Sequence, residues 1–346
     1  MCLEREEMVD SVGEIMRGLE NDSAYTHSTN LIQRIITGVS VVFLTGDFAY
    51  KFNKPLNLGF LDFSTLEKRK DQCKKEFRYN SLVSPELYVG VSTINKDQNG
   101  NISVDGKGEV IEYAVKMKQL DPSLIMSELL VKNKISAEHL QKLAHKIFSF
   151  HQRAIADEET ASFGSAEMVQ FNWDENFQQT EKYQQKIIPE NDFTFMQQKI
   201  NQFIQKNKDL FSERIKKKQI KHCHGDFHSA NVFVTPAGIY IFDGIVFNKR
   251  FPCSDIIAEI AFMSMDLDFH GKKDLAEAFV KEYQKLSKDL DIPKLLDFYK
   301  CYRAYIRGKI NCFTSDDLNL TAEEKKKAVD GAEKYFHLAK KYAELL

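Results

Sequence analysis

The chain has 346 residues, 43% of them apolar and 28% charged, with 48 Lys and Arg against 50 Asp and Glu for a formal net charge of −2. That length and its 26 Phe supply core for two domains or one large bilobal unit, and the balanced charge excludes a globally basic nucleic-acid binder. Six scattered cysteines, at 2, 73, 223, 253, 301 and 312 with no C-x-x-C pair, fit a reducing, cytoplasmic setting better than a disulfide framework.

The acidic start "MCLEREEMVDSVGE" lacks the apolar run of a signal peptide. Leu3, Val12, Ile15, Met16 and Leu19 fall near helical spacing and predict a short amphipathic helix over 3–19. Three strands follow in "LIQRIIT", "VSVVFLT" and "FAYKFNK", punctuated by Gly38 and by the turn Thr45-Gly46-Asp47. "LEKRKDQCKKEFRYNSLV" (66–83) reads as a charged helix, and "ELYVGVSTI", "NISVDG" and "VIEYAVKM" (110–117) as further strands. After Met117 the pattern turns helical. "AEHLQKLAHKIFSFHQRAI" sets Leu140, Leu143, Ala144, Ile147, Phe148 and His151 on one face, and "FMQQKINQFIQKNKDLFSERI" is also helical. "NVFVT" and "IYIFDG", split by Pro236-Ala237-Gly238, read as a hairpin. From Asp255 the chain is mostly helix, and Thr321-Ala322-Glu323-Glu324 is a capping box for the last one. The most apolar segment, "IIAEIAFMSM", carries a charge and stops short of a membrane span, so no membrane partner is expected.

The chemistry concentrates in "KHCHGDFHSANVFV" (221–234). Asp226 lies just before the hairpin, Asn231 opens its first strand, and Asp243 ends its second. Carboxylate and amide oxygens suit Mg²⁺, the central electrostatic element of phosphoryl transfer, and a remaining Asp can orient and deprotonate a hydroxyl. The competing reading is a transition-metal site on His222, Cys223, His224 and His228. Zinc sites draw ligands from two separated pairs, and no second Cys/His pair is evident. Adjacent strand positions also alternate faces, which would turn Cys223 away from His222 and His224. His224 is therefore read as holding the loop, and His228 as a loop or substrate group.

"HGDFHSAN" followed by "IYIFDG" resembles the H-G-D-x-x-x-x-N and Asp segments of the aminoglycoside phosphotransferase (choline kinase-type) family, relatives of the protein kinases. The spacings agree, five from Asp226 to Asn231 and seventeen from Asp226 to Asp243. "VVFLTGDFAYKFNKPLNLGFLDFSTLEKR" and "FNKRFPCSDIIAEIAFMSMDLDFHG" resemble a poorly characterised bacterial branch of that family, some members of which carry a fused P-loop ATPase domain. No G-x-x-x-x-G-K-[ST] occurs in this chain.

The resemblance implies an α+β, bilobal protein-kinase-like fold, with a small β-rich nucleotide-binding lobe over 1–118 and a large helical lobe over 119–346 for catalysis and acceptor binding. It implies ATP and Mg²⁺ as cofactors and a small-molecule hydroxyl as acceptor, and leaves the acceptor's identity and the oligomeric state open. Asp226 would be the catalytic base, and Asn231 and Asp243 would hold Mg²⁺. Lys51 would contact the ATP phosphates and Glu76 would pair with it; Lys54 is a rival that strand alternation does not separate from Lys51. The segment Glu112–Met117 would be the inter-lobe hinge, its backbone near Val115 and Met117 meeting adenine. The chain departs from the protein-kinase pattern in lacking a Gly-rich phosphate loop, since "IITGVSVVF" holds only Gly38.

Asp255 and Glu259 lie one helical turn apart and either anchor the catalytic loop or face solvent; anchoring is read for Asp255 only. Arg303 and Arg307 share a helix face and either bind an anionic or polar acceptor or pair with acidic helices. Trp173 and residues 174–177 are candidates to line the acceptor cleft. Two other functions fit the same residues. One is a non-catalytic nucleotide-binding module. The other is a protein kinase, although "GIVFNKRFPCSD" after Asp243 leaves little room for an activation loop.

Overall fold

The computed structural model describes residues 12–59 and 61–346. The predicted N-terminal helix is seen over residues 12–19 (α1), and its Leu3 end lies outside the described residues. By their contacts the residues part into two units. One holds the chain up to Pro122 together with Tyr240–Asn248, and the other holds Ser123–Ile239 and Lys249–Leu346.

The first unit is built on six strands: β1 Gln33–Ile36, β2 Ser40–Leu44, β3 Phe48–Asn53, β4 Tyr88–Lys96, β5 Ile102–Val104 and β6 Glu109–Lys118. They form one antiparallel sheet in the order β1-β2-β3-β6-β4-β5. Apolar residues at every second position of β2 and β3 turn Val41, Phe43, Tyr50 and Phe52 into one core with Ile15 and Leu19 of α1. Gly18 allows that packing, because a Cβ there would lie 2.5 Å from Ile102 Cβ. The single helix after the sheet begins, α2 (Leu66–Asn80), is capped by Thr65, whose hydroxyl accepts from Lys68 N. It buries Cys73 against Leu87, Tyr88 and Val115.

The second unit is helical. It runs through α3 (Met126–Val131), α4 (Ala137–Arg153), α5 (Glu158–Ser162), α6 (Ala166–Thr180), α7 (Glu190–Lys206) and α8 (Lys208–Lys216). Short strands follow: β7 (Ile220–His222), β8 (Val232–Thr235), β9 (Gly238–Ile241) and β10 (Cys253–Asp255), with β10 antiparallel to β7. The chain ends in α9 (Ile256–Phe269), α10 (Lys273–Ser287), α11 (Ile292–Ser315) and α12 (Ala322–Ala343). The stretch 195–215, read as helical, forms parts of two helices. Asn207 separates them, its side chain donating to Phe203 O at 2.9 Å and competing with the backbone ladder. At α12 the capping box forms as read: Thr321 N donates to Glu324 Oε2 and Glu324 N to Thr321 Oγ1.

Helix α9 is buried on every face from Ile256 to Leu267, the pattern of a helix threaded through a core. Trp173 is 0% exposed and packs on Phe177, Phe298, Tyr302 and Tyr305. It is a core residue and does not line a cleft. Among the described residues no helix is long and apolar enough to cross a membrane.

Candidate active site

In the first unit, strand pairing puts Lys51 of β3 opposite Val42 and Val115, and its ammonium reaches α2. Lys51 Nζ donates to Glu76 Oε1 at 2.9 Å and also pairs with Asp243. Glu76 is only 4% exposed. Burial works against the Lys51 charge, but Asp243 and Glu76 outweigh it and hold the ammonium well above its ordinary range. Lys54 turns elsewhere, donating to Thr37 O at 2.5 Å in the β1–β2 turn.

Asp243 sits at a positive φ of 64°, a backbone state that costs a non-glycine residue and is kept only where surroundings impose it. Three side chains of the same unit impose it. Ser84 Oγ accepts from Ile241 N at 2.9 Å, Tyr88 Oη from Asp243 N at 3.1 Å, and Asn80 Oδ1 from Gly244 N at 2.8 Å. The carboxylate itself is 50% exposed.

The residues expected at the hinge, Glu112, Val115 and Met117, lie on β6. Glu112 is a core ion pair: Arg69 Nε donates to its Oε2 at 2.6 Å, and its Oε1 accepts from Tyr113 N. Val115 pairs with Lys51 on one edge and Val91 on the other, and Met117 with Ala49 and Tyr88. A strand flanked on both edges has most of its backbone groups committed to its neighbours, and the pairing shifts register between Tyr88 and Gly90, beside Met117. The commitment runs through Lys118 N to Leu87 O and Gln119 N to Asp47 O.

In the second unit, Asp226 and Asn231 share one loop. Asn231 Nδ2 donates both to Asp226 O and to Asp226 Oδ2, each at 2.9 Å. His228 Nδ1 accepts from Ala230 N at 3.3 Å, which leaves Nε2 as the N–H facing Asp226 Oδ1 at 3.4 Å. Burial opposes ionisation of Asp226, yet His228, Arg307 and His224 outweigh it and hold the carboxyl well below the usual carboxylate range. Gly225, at φ +85°, makes the turn into Asp226 in a region where a side chain would be strained.

Helix α9 holds this loop. Glu259, fully buried, accepts from His224 N at 2.6 Å and Gly225 N at 2.8 Å, and its Oε2 meets His151 Nε2 at 3.2 Å. The Phe262 ring packs on His228 with centroids 5.1 Å apart, and Asp266 Oδ2 accepts from Ser229 N at 2.9 Å. Asp255, expected to anchor the loop, spends its carboxylate on Arg214 Nε and Nη2 at 2.7 Å each and on Ile257 N. Arg303 is buried and supports the loop: Nη1 donates to Gly225 O and Nε to Ala258 O, each at 3.1 Å, with the guanidinium over the Phe262 ring. Arg307 lies over the Tyr335 ring and acts on Asp226 through charge. Glu259 and Asp266 carry a sequence signal of their own, carboxylates inside an otherwise apolar helix, where a buried charge demands partners.

The histidine-rich stretch does not assemble a metal site from its own side chains. Among the described residues, the group of His, Cys, Asp or Glu close enough to share an ion is His151, Cys223 and Glu259, all buried. Glu259 is taken by two backbone N–H groups, and burial pushes the Cys223 thiol up, away from the thiolate a metal needs.

No family model matches the chain. Two uncharacterized mycobacterial proteins, from Mycobacterium tuberculosis and Mycobacterium bovis, are each 29% identical over 276 residues, covering 80% of this chain and 54% of theirs. The chain therefore spans about half the length of the curated relatives it matches. A choline/ethanolamine kinase family protein from Mesorhizobium loti superposes with a TM-score of 0.55 at 8% identity, over 98% of this chain and 100% of its own. A choline kinase from Cryptosporidium parvum does so at 0.54 and 10%, over 95% of each. The α+β fold, strand-rich first and helical after, is the fold of those two structures.

Proposed function

We propose that the chain is a small-molecule kinase of the aminoglycoside-phosphotransferase and choline-kinase type, moving the γ-phosphate of ATP to a hydroxyl. The fold supports this, since the two solved structures that share it are named a choline kinase and a choline/ethanolamine kinase family protein. The observation that carries the reading is the Asp226 carboxylate. It is 36% exposed in a loop that is otherwise mostly buried, and Asn231 and His228 orient it.

A carboxyl held this far down is a weak base. It suits a loose phosphoryl-transfer transition state, in which the acceptor hydroxyl must be aligned first and loses its proton late. Asp226 thus accepts a hydrogen bond from the hydroxyl and takes the proton as the bond to phosphorus forms. Lys51, fixed by Glu76, is assigned to the ATP phosphates. Asn231 and Asp243 have the donor chemistry Mg²⁺ takes. Asn231 commits Nδ2 to Asp226 and keeps Oδ1 as its acceptor, and Asp243 is half exposed. When bound with ATP, the ion neutralises charge on the phosphates. Adenine is assigned to the segment Glu112–Met117, with the backbone near Val115 and Met117.

The test is ADP release from Mg²⁺-ATP with choline, ethanolamine, amino sugars and nucleosides as acceptors, the Asp226→Asn protein serving as blank. Acceptor-dependent release, lost in Asp226→Asn with ATP binding retained, is the expected result. ATP binding with no turnover on any acceptor would assign a non-catalytic nucleotide-binding module instead.

A further inference from the structure

We infer that the acceptor is a hydroxyl compound carrying a carboxylate, and that the Arg307 guanidinium binds this carboxylate beside Asp226. The inference rests on the kinase reading of Asp226 and names the substrate class of that site. The placement follows from α11. Arg303 Nη1 donates to Gly225 O, the carbonyl just ahead of Asp226, at 3.1 Å. Arg307 stands one turn further on the same face, about 5.4 Å along the axis, and is half-buried.

Neighbouring cations of α11 are spent on the protein. Arg303 meets two carbonyls, Lys300 meets Asp268, and Lys309 meets Asn176 and Gln179. Arg307 differs. Its Nε is buried with no hydrogen-bond partner, and among the described residues no carboxylate lies within ion-pair distance of its guanidinium. The group lies over the Tyr335 ring, which offers a π face and a hydroxyl but no negative charge. The carboxylates whose charge reaches it are Asp226 and Asp266, and each has another partner, Asn231 Nδ2 and Ser229 N. A charge withdrawn from water without a counter-ion is costly, and a ligand carboxylate supplies one whose two oxygens match the guanidinium fork.

The same geometry selects against other charges. Guanidinium groups cover the rings nearest the loop, Arg303 over Phe262 and Arg307 over Tyr335. Tyr335 is also stacked on Phe269, with centroids 3.9 Å apart. An ammonium group recognised through aromatic faces finds these taken, and meets like charge. Two protein carboxylates already act on the one guanidinium, so a ligand monoanion is matched better than a phosphate dianion.

The test is ADP release from Mg²⁺-ATP by the intact chain on acceptors of similar size and different charge. One set is glycerate, glycerol, choline and a glycerol monophosphate; the other is gluconate, glucose, glucosamine and a glucose monophosphate. The highest kcat/KM is expected on a carboxylate. In Arg307→Gln, KM for that carboxylate should rise at least about tenfold, the worth of one hydrogen bond to a charged group, with KM for ATP near wild type and the preference over the neutral alcohol lost. Arg307→Lys should recover part of the binding, because it restores the charge without the fork. Nε satisfies no buried acceptor, so Arg307→Gln should unfold near the wild-type midpoint. Highest kcat/KM on a neutral or cationic acceptor would overturn the carboxylate and leave the kinase reading standing, and highest kcat/KM on a phosphate ester would overturn the monoanion. Unchanged carboxylate KM in Arg307→Gln, or an equal fall of kcat on every acceptor, would overturn the binding role of Arg307. No turnover on any acceptor, with ATP bound, would overturn the kinase reading itself.

Discussion

Lys51 Nζ lies 2.9 Å from Glu76 Oε1, with both side chains largely buried, while Lys54, three residues on, donates to the carbonyl of Thr37. This geometry separates two lysines of one strand end. Lys51→Met should lower ATP turnover on the order of 10²-fold or more, as loss of a preorganised charge at phosphate does, and Lys54→Met should leave it near wild type. Lys51→Met also strands Glu76 in the interior, and breaking a buried pair is costly. The double variant Lys51→Met/Glu76→Leu should therefore regain thermal stability without regaining turnover. Recovery of both would reduce the pair to a structural ion pair.

Asp226 carries the sharpest pH expectation. Its folded-state pKa is depressed, so the group contributes stability that is present above the ordinary carboxyl pKa of about 3.9 and is lost as pH falls below it. Over pH 5–9 it stays ionised and adds no inflection to a kcat profile. Asp226→Asn should lower kcat by about 10²–10⁴-fold at every pH in that range, and its stability deficit relative to wild type should shrink toward pH 3. A wild-type acid limb near pH 6 that disappears in Asp226→Asn would refute this assignment.

Much of the frame is legible in the residues, because it rests on local patterning. The alternation in β2 and β3, the apolar stripe of α4 and the reciprocal Thr321–Glu324 cap are each written within a few positions of the chain. What was misread depends on neighbours far away in sequence. That β6 is interior to the sheet follows from the order β3-β6-β4, which no pattern within β6 itself announces. Trp173 looked like a cleft residue among Asp174, Glu175 and Asn176. Yet Val169, Trp173 and Phe177 recur every fourth residue, and all three are buried, which is a core stripe. Glu259 and Asp266 were legible in kind as charges in an apolar helix, but their partners are backbone amides that no sequence pattern advertises.

Arg303 and Arg307 share a helix face but not a role. Arg303 Nη1 and Nε are spent on Gly225 O and Ala258 O, so Arg303→Ala leaves two buried carbonyls without their charged donor and should cost about 2–4 kcal/mol. It should lower kcat while leaving acceptor KM nearly unchanged, because the side chain reaches the loop and not the solvent. Thermal unfolding and a KM-against-kcat comparison on the best acceptor check this. A selective rise in acceptor KM would restore the substrate-binding role for Arg303.

Lys309, two residues beyond Arg307 on α11, gives a test independent of any substrate. Its Nζ donates to Asn176 Oδ1 at 2.6 Å and Gln179 Oε1 at 2.8 Å, both neutral acceptors. Burial lowers its pKa to about 8, with Arg250 adding to the shift and Glu175 opposing it. The unfolded chain therefore binds a proton that the folded one has released between about 8 and the ordinary 10.5. The charge on Lys309 is a destabilising load that is fully present below pH 8 and is relieved as pH rises through that window. Wild type should gain stability relative to Lys309→Met between pH 8 and 10.5, and the two should run parallel below pH 7. Carbon-13 NMR of the lysine ε-carbons should show one titration midpoint near 8, absent in Lys309→Met. A midpoint above 10 would mean that Asn176 and Gln179 solvate the ammonium as well as water does.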